Sequence, residues 1–353
     1  MTNKSIYQWA VVGAGPAGIA AVGKLIDAGV PASEVIWIDP EFKVGDLGQY
    51  WRHVSSNTTV QRFLDFLQAS AAFAYDKAAS DFRLNQLPLD KTCILSDVVQ
   101  PLQWVTAHLQ SRVHSVCASV TKLSLTHRQW HLKTEQASFK ADHVVLATGA
   151  EPIQFNYPVN HPGLTVLPLV TALNREKLIQ VVNKSDTYAI FGSSHSAMIV
   201  IRSLVELGVQ KVINFYRSPC YYAIDQGDWI LFDNTGLKGE TATWARECID
   251  GVLPANLTRH LSNEANLARF LPECQYVIYA VGFVSRCSLY IEGYQQVMHN
   301  PHNGIIGPGL FGFGIGFPEI GVDPLGYVES QVGLWKFMVY LNKVLPIWLR
   351  YRA

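Results

Sequence analysis

Hydrophobic positions in this chain come in short runs broken by glycine turns. An apolar run at 6–12 meets Gly13-Ala14-Gly15-Pro16-Ala17-Gly18, and a small-residue stretch at helical spacing follows to Leu25, with Gly29 as its stop. A second run, 35–38, ends in Asp39. The pattern predicts strand, tight turn, helix and strand. A polar loop carries Gly45, Asp46, Gly48, Tyr50 and Trp51, and Phe63, Phe66 and Leu67 then fall at helical spacing. Residues 71–95 show no clear period, whereas Leu102, Val105 and Leu109 mark a helix over 97–113. The stretches 120–125, 129–133 and 138–146 alternate or are rich in β-formers, which predicts a three-strand meander ending at Ala147-Thr148-Gly149.

The opening theme then recurs. After a linker over 151–185, an apolar run at 188–191 meets Gly192-Ser193-Ser194-His195-Ser196-Ala197. A helix is predicted over 198–207, stopped by Gly208, with a strand over 211–215. Two strand–turn–helix–strand units about 180 residues apart indicate domain duplication rather than a short repeat array. Residues 219–275 carry no clear pattern, and 275–283 repeats a strand ending in a small residue and glycine. Near the end, a glycine-rich run at 309–316 precedes Asp323-Pro324-Leu325, which reads as N-cap and first helical position of a helix over 324–344.

Composition narrows the class. The chain has 353 residues, 49% hydrophobic and 16% charged, enough for two domains or one elaborated domain. The formal net charge is zero, so nothing electrostatic favours nucleic acid. The first strand begins too soon after Met1 for a signal peptide, and the six cysteines are scattered with no C-x-x-C. That pattern implies a reducing, cytoplasmic setting, no redox disulfide of that type and no metal site. Lys336, Asn342, Lys343 and Pro346 interrupt the apolar tail, so it reads as a buried terminal helix rather than a membrane span. A peripheral membrane or partner contact through the last residues is the alternative. A homodimer is the expectation on base rates.

The glycine turns carry the candidate chemistry. Gly13 permits the turn, Gly15 lets backbone approach a pyrophosphate, and Gly18 lets helix and strand pack closely. The helix N-terminus offers free N–H groups and a positive dipole to the anion. Asp39 stands 21 residues past Gly18, near the spacing of a ribose-binding acid. In the second unit Arg217, 20 residues past Ala197, suits a 2′-phosphate and favours NADPH over NADH.

In their order along the chain, Gly13-x-Gly15-x-x-Gly18, Asp39, Ala147-Thr148-Gly149, the Gly192 turn, Ala280-Val281-Gly282 and the 309–316 run resemble flavoproteins with two dinucleotide-binding domains. These are the pyridine nucleotide-disulfide oxidoreductase-like proteins, which include thioredoxin reductase-like enzymes, flavin-containing monooxygenases and siderophore N-hydroxylases. The resemblance implies an α/β fold of two Rossmann-like, three-layer ββα domains. The FAD domain would be discontinuous (1–152 and 284–353) and carry the meander, with an NAD(P)H domain at 153–283. It implies FAD held by Gly13, Gly15, Pro16, Ala17, Gly18 and Asp39, with Val120 at the adenine and Thr148, Gly149 and Gly314 in the cradle. A helix starting at Pro324 and Leu325 would point at the flavin, and Gly192, Ser193, Ser194, His195, Ser196 and Arg217 would hold NADPH.

Trp51 and Thr58-x-x-Gln61-x-x-Leu64 resemble the monooxygenase and N-hydroxylase branch, where a tryptophan and a glutamine sit beside the flavin. Gln61 and His195 are the catalytic candidates on that likeness. It implies hydride transfer from NADPH, a flavin hydroperoxide and oxygenation of a small-molecule substrate. The alternatives are a reductase serving a quinone or partner protein, and an FAD-binding regulator with a decayed NADPH site. Three departures stand out: Asp39 replaces the usual glutamate, Ser194 the second glycine of the NADPH turn, and Gly314-Ile315 lacks a common aspartate.

Overall fold

A computed structural model describes residues 6–157, 161–286 and 288–351. Two sheets organise it, one mixed and one all parallel. In the first, Tyr7–Val12 pairs in parallel with Val35–Asp39 on one side and Ser138–Leu146 on the other. His114–Cys117 extends it beyond Val35–Asp39, and Leu310–Gly312 joins Ser138–Leu146 in parallel. The antiparallel meander Val120–Thr126, Gln129–Thr134 and Ser138–Leu146 branches from the same sheet. Strands buried on both faces need apolar residues at consecutive positions. Accordingly, Trp9 and Val11 face the helices while Ala10 and Val12 face the meander.

Three helices cover the first face: Pro16–Asp27, Leu95–Gln110 and Leu334–Trp348. The second sheet runs Thr165–Val166, Tyr276–Tyr279, Thr187–Phe191, Lys211–Tyr216 and Leu257–Leu261, all parallel. His195–Glu206 packs on it. A short antiparallel pair, Ala150–Pro152 with Phe283–Ser285, carries the chain between the two sheets.

The duplication extends to individual hydrogen bonds. Gly13 N–H donates to the Ile38 carbonyl at 2.8 Å, and Gly192 N–H to the Phe215 carbonyl at 2.9 Å. Ala147 N–H reaches the Val12 carbonyl at 2.8 Å, and Ala280 N–H the Phe191 carbonyl at 2.9 Å. By this register, Tyr216 occupies the place in the second unit that Asp39 occupies in the first.

The predicted helix over 324–344 is the main departure. Residues Glu319–Val322 and Val328–Gln331 form a hairpin, and the helix starts only at Leu334, with Gly333 as N-cap. Asp323 does cap a turn, since its Oδ1 accepts the N–H groups of Leu325 and Tyr327, both at 2.9 Å. An Asp-Pro pair starts a turn as readily as a helix, and strand pairing settles the choice here. The terminal helix is buried along Phe337, Met338, Leu341, Val344 and Trp348. No helix among the described residues is long and apolar enough to cross a membrane. Residues 352 and 353 of the tail lie outside those described. The linker holds the helices Leu169–Ala172 and Arg175–Val181, and 219–275 holds Gly239–Cys248 and Glu264–Phe270.

Candidate active site

A cavity of about 420 Å³ lies at the carboxyl ends of the strands of the first sheet, where ligands of open α/β sheets bind. Its wall includes the turn Gly13 to Ala17, Asp39, Trp51, Thr148, Gly149, His195, Ser196, Arg286 and Gly333. A larger, open hollow of about 920 Å³ between Lys91, Arg202 and Trp244 contains none of the glycine-turn residues.

The three glycines of the first turn differ in what surrounds them. A Cβ on Gly13 would stand 2.3 Å from the Ala147 carbonyl oxygen, and one on Gly18 only 1.9 Å from that of Gly13. Those two are required by the protein's own packing. At Gly15 the only heavy atom within 4 Å is the Gly45 Cα, at 4.0 Å. The space over Gly15 is therefore open to the cavity, as a backbone meeting a phosphate requires. Pro16 at the first helical position leaves the helix N-terminus directed there.

Asp39 is buried, and its carboxylate holds the turn in place. Oδ2 accepts Ala14 N–H at 2.7 Å; Oδ1 accepts Glu41 N–H at 2.9 Å and Phe42 N–H at 2.6 Å. A carboxylate offers roughly four acceptor sites, so one remains for a ligand hydroxyl. The loop opposite bends through Val44 and Gly45, both at positive φ (62° and 56°), which brings Gly45 against Gly15. A β-branched residue in that region is a strained one, and such strain gathers at binding sites.

A second helix end faces the cavity. Gly333 and Leu334 line it and begin the terminal helix, so unpaired N–H groups and the positive dipole end point there. The sequence pattern puts this helix end ten residues too early. Pro324 and Leu325 lie in the exposed hairpin turn and do not line the cavity.

The other sheet contributes His195 and Ser196, at the start of their helix. His195 Nε2 lies 2.9 Å from the Ser55 carbonyl oxygen. A carbonyl only accepts, so Nε2 carries the proton and Nδ1, which is buried with no protein partner, presents a lone pair. Burial lowers the His195 pKa and keeps the ring neutral, partly offset by the bond to Ser55. Trp51 meets Phe283 edge-on, with centroids 5.9 Å apart. Arg286 binds the Asp46 carboxylate at 2.7 Å and the Thr148 carbonyl at 3.3 Å. Phe283 and Arg286 are not legible in the sequence, because only the return of the chain between sheets brings them to the wall.

Other expected residues fall elsewhere. Gln61 is exposed and donates to Asp65 at 2.8 Å, because Val60, Phe63, Leu64 and Leu67 take the buried face of its helix. Val120 is half-buried at the start of its meander strand, away from the cavity wall. Gly314 packs against Ala17, where a Cβ would come within 2.5 Å, while Phe313 and Ile315 line the cavity. Gly192 closes on the Ala280 carbonyl as Gly13 does on Ala147. Ser193 and Ser194 do not line the cavity, and Ser194 has extended backbone (φ −102°, ψ −170°) that needs no glycine. Arg217 is exposed beyond the end of its strand.

Gly15 of the first glycine turn, His195 and Ser196 of the second and the helix N-terminus at Gly333 thus line one cavity, the arrangement of a fold built from two dinucleotide-binding units. The profile of the pyridine nucleotide-disulphide oxidoreductase family matches residues 7–306, and the chain belongs to that family. It is 30% identical over 390 residues to a protein of Paecilomyces divaricatus described as monooxygenase AgnR1, covering 96% of this chain and 97% of the relative. Among solved structures, the Kutzneria sp. 744 ornithine N-hydroxylase is similar with a TM-score of 0.67 at 13% identity, over 98% of this chain and 99% of that one. A flavin-containing monooxygenase from Stenotrophomonas maltophilia gives 0.64 at 14%, over 98% and 97%. The Staphylococcus aureus bacillithiol disulfide reductase Bdr gives 0.64 at 11%, over 98% and 99%. These structural likenesses are likenesses of fold. The family and the monooxygenase relative make the chain a flavin-dependent oxidoreductase.

Proposed function

We propose that this protein is an NADPH-dependent FAD monooxygenase acting on a small-molecule substrate. One observation carries the reading: residues of both glycine turns, Gly15 from the first and His195 and Ser196 from the second, line a single cavity. A dinucleotide on the second turn would then end beside one on the first. The proposed units are 1–152 with 284–353 for FAD and 153–283 for NADPH.

The residues present fit FAD. The open face of Gly15 and the helix after Pro16 would take the diphosphate, and the free acceptor site of Asp39 a ribose hydroxyl. Thr148 and Gly149 would border the ribityl chain. The N-terminus at Gly333 would stabilise negative charge at the ring end. When bound, the flavin supplies hydride acceptance and oxygen activation. The chain's own part is orientation and water exclusion: Trp51 and Phe283 close the apolar wall, and the Arg286–Asp46 pair fixes the Gly45 loop. His195 offers Nδ1 as a neutral acceptor to an N–H or O–H donor of the bound nucleotide or substrate.

The monooxygenase relative supports oxygenation over simple reduction. Anaerobic NADPH followed by readmitted oxygen separates the readings. Oxygen consumed with little released peroxide, and product formed, supports the monooxygenase. Rapid flavin reoxidation with stoichiometric peroxide, or turnover of a quinone instead, supports the reductase.

A further inference from the structure

We infer that Arg259, on the strand beside the second glycine unit, is the cation that reads a ribose 2′-phosphate. The inference rests on the proposed nucleotide role of that unit and adds a residue that spacing along the chain does not suggest. The duplicated register supplies the argument. In the first unit Trp37 Nε1 donates to the Gly13 carbonyl at 2.9 Å. In the second, Asn214 Nδ2 donates to the equivalent Gly192 carbonyl at 2.8 Å and to that of Ile190 at 3.0 Å. Trp37 pairs with Ser115 on the next strand, and Asn214 pairs with Arg259. The same lattice position thus carries a small neutral residue in one unit and a guanidinium in the other.

Two residues further, the first unit ends in the acid Asp39, and the second in Tyr216. The Arg259 guanidinium lies over the Tyr216 ring, 4.6 Å from its centroid, and its Nε donates to Asn214 Oδ1 at 2.9 Å. Where the first unit ends in an anion, the second therefore holds a half-buried cation over an aromatic ring. No carboxylate of the described residues comes within 4.0 Å of that guanidinium. Its other hydrogen-bond partner among the described residues is the Cys220 thiol, at 3.9 Å, whose pKa is raised by burial, so the thiol stays neutral. A half-buried charge with no protein counterion at a strand-end nucleotide site is matched by a ligand anion. Arginine suits a phosphate dianion better than lysine does. Through Asn214 the same guanidinium is wired to the Gly192 turn. Arg217, one residue past Tyr216, is exposed and its charge is screened.

The test is equilibrium binding of adenosine 2′,5′-bisphosphate and of ADP to the flavin-loaded protein and to Arg259→Met and Arg259→Gln. Glutamine keeps an N–H for Asn214 but has no charge. Both variants are expected to weaken the bisphosphate about tenfold to a hundredfold and ADP by no more than about twofold. Equal weakening of both ligands, or wild-type bisphosphate binding in Arg259→Gln, would reduce Arg259 to a prop for the turn and overturn the inference. If the unaltered protein binds neither ligand, the nucleotide reading of the second unit fails first, and the inference with it. Retained flavin absorbance reports that each variant is folded.

Discussion

The carboxylate of Asp39 accepts the backbone N–H of Ala14 across a distance of 2.7 Å. The acid at the end of the second strand thus fixes the glycine turn as well as offering a site to a ligand. Asp39→Asn would present an NH₂ group to N–H donors and leave one or two of them unpaired. The expected cost is about 2 kcal/mol or more. A lowered thermal midpoint together with loss of bound flavin on gel filtration is the predicted result.

The glycines separate packing from binding. Gly15→Ala should fold with near-wild-type stability, since open space receives its Cβ, yet hold flavin poorly. Gly18→Ala should fail to fold, because its Cβ would strike the Gly13 carbonyl. Circular dichroism and flavin content, measured on both variants, check the pair. Equal behaviour of the two would contradict the account.

Gln61→Ala should change NADPH-driven flavin reduction by less than about twofold, because the side chain is solvent-facing and bonded to Asp65 at 2.8 Å. The loss is that of one exposed helix-surface contact. Rapid-mixing absorbance is the readout, and a loss of tenfold or more would return Gln61 to the site.

His195 makes stability depend on pH. Burial lowers its pKa from 6.5 in the folded state, so below pH 6.5 the unfolded chain binds a proton that the folded one resists. Stability contributed by the neutral ring is present above pH 6.5 and is lost as pH falls through the lowered folded value. His195→Gln keeps a donor for the Ser55 carbonyl and cannot titrate. Denaturant midpoints measured downward from pH 7 should therefore fall less steeply in the variant than in the wild type. Parallel slopes would show that the ring is not held neutral.

Much of the fold and part of the candidate site are legible in the sequence, for reasons specific to particular residues. Gly18 is dictated by a contact within its own turn, with the Gly13 carbonyl, so its spacing carries the information, whereas the carbonyl that excludes a Cβ at Gly13 comes from Ala147 on a distant strand. The meander and both parallel units follow from runs whose apolar positions match burial on one or two faces. The terminal helix starts later than its sequence suggests because Asp323-Pro324 is equally good chemistry for a turn, and only the pairing of Glu319–Val322 with Val328–Gln331 distinguishes the two. Gln61 faces outward because its neighbours fix the helix phase, which the spacing of a motif alone does not reveal. Phe283, Arg286 and Arg259 have no local signal. Each reaches its place through a partner on another strand or loop, between 45 and 240 residues away in the case of the Arg259–Asn214 and Arg286–Asp46 bonds.

The most direct measurement is the visible spectrum of the purified protein during anaerobic titration with NADPH. Oxidised-flavin bands at about one flavin per chain are expected, bleached by about one equivalent of NADPH. A colourless protein that takes up no FAD on reconstitution, or a flavin that NADPH leaves oxidised, would contradict the proposed function.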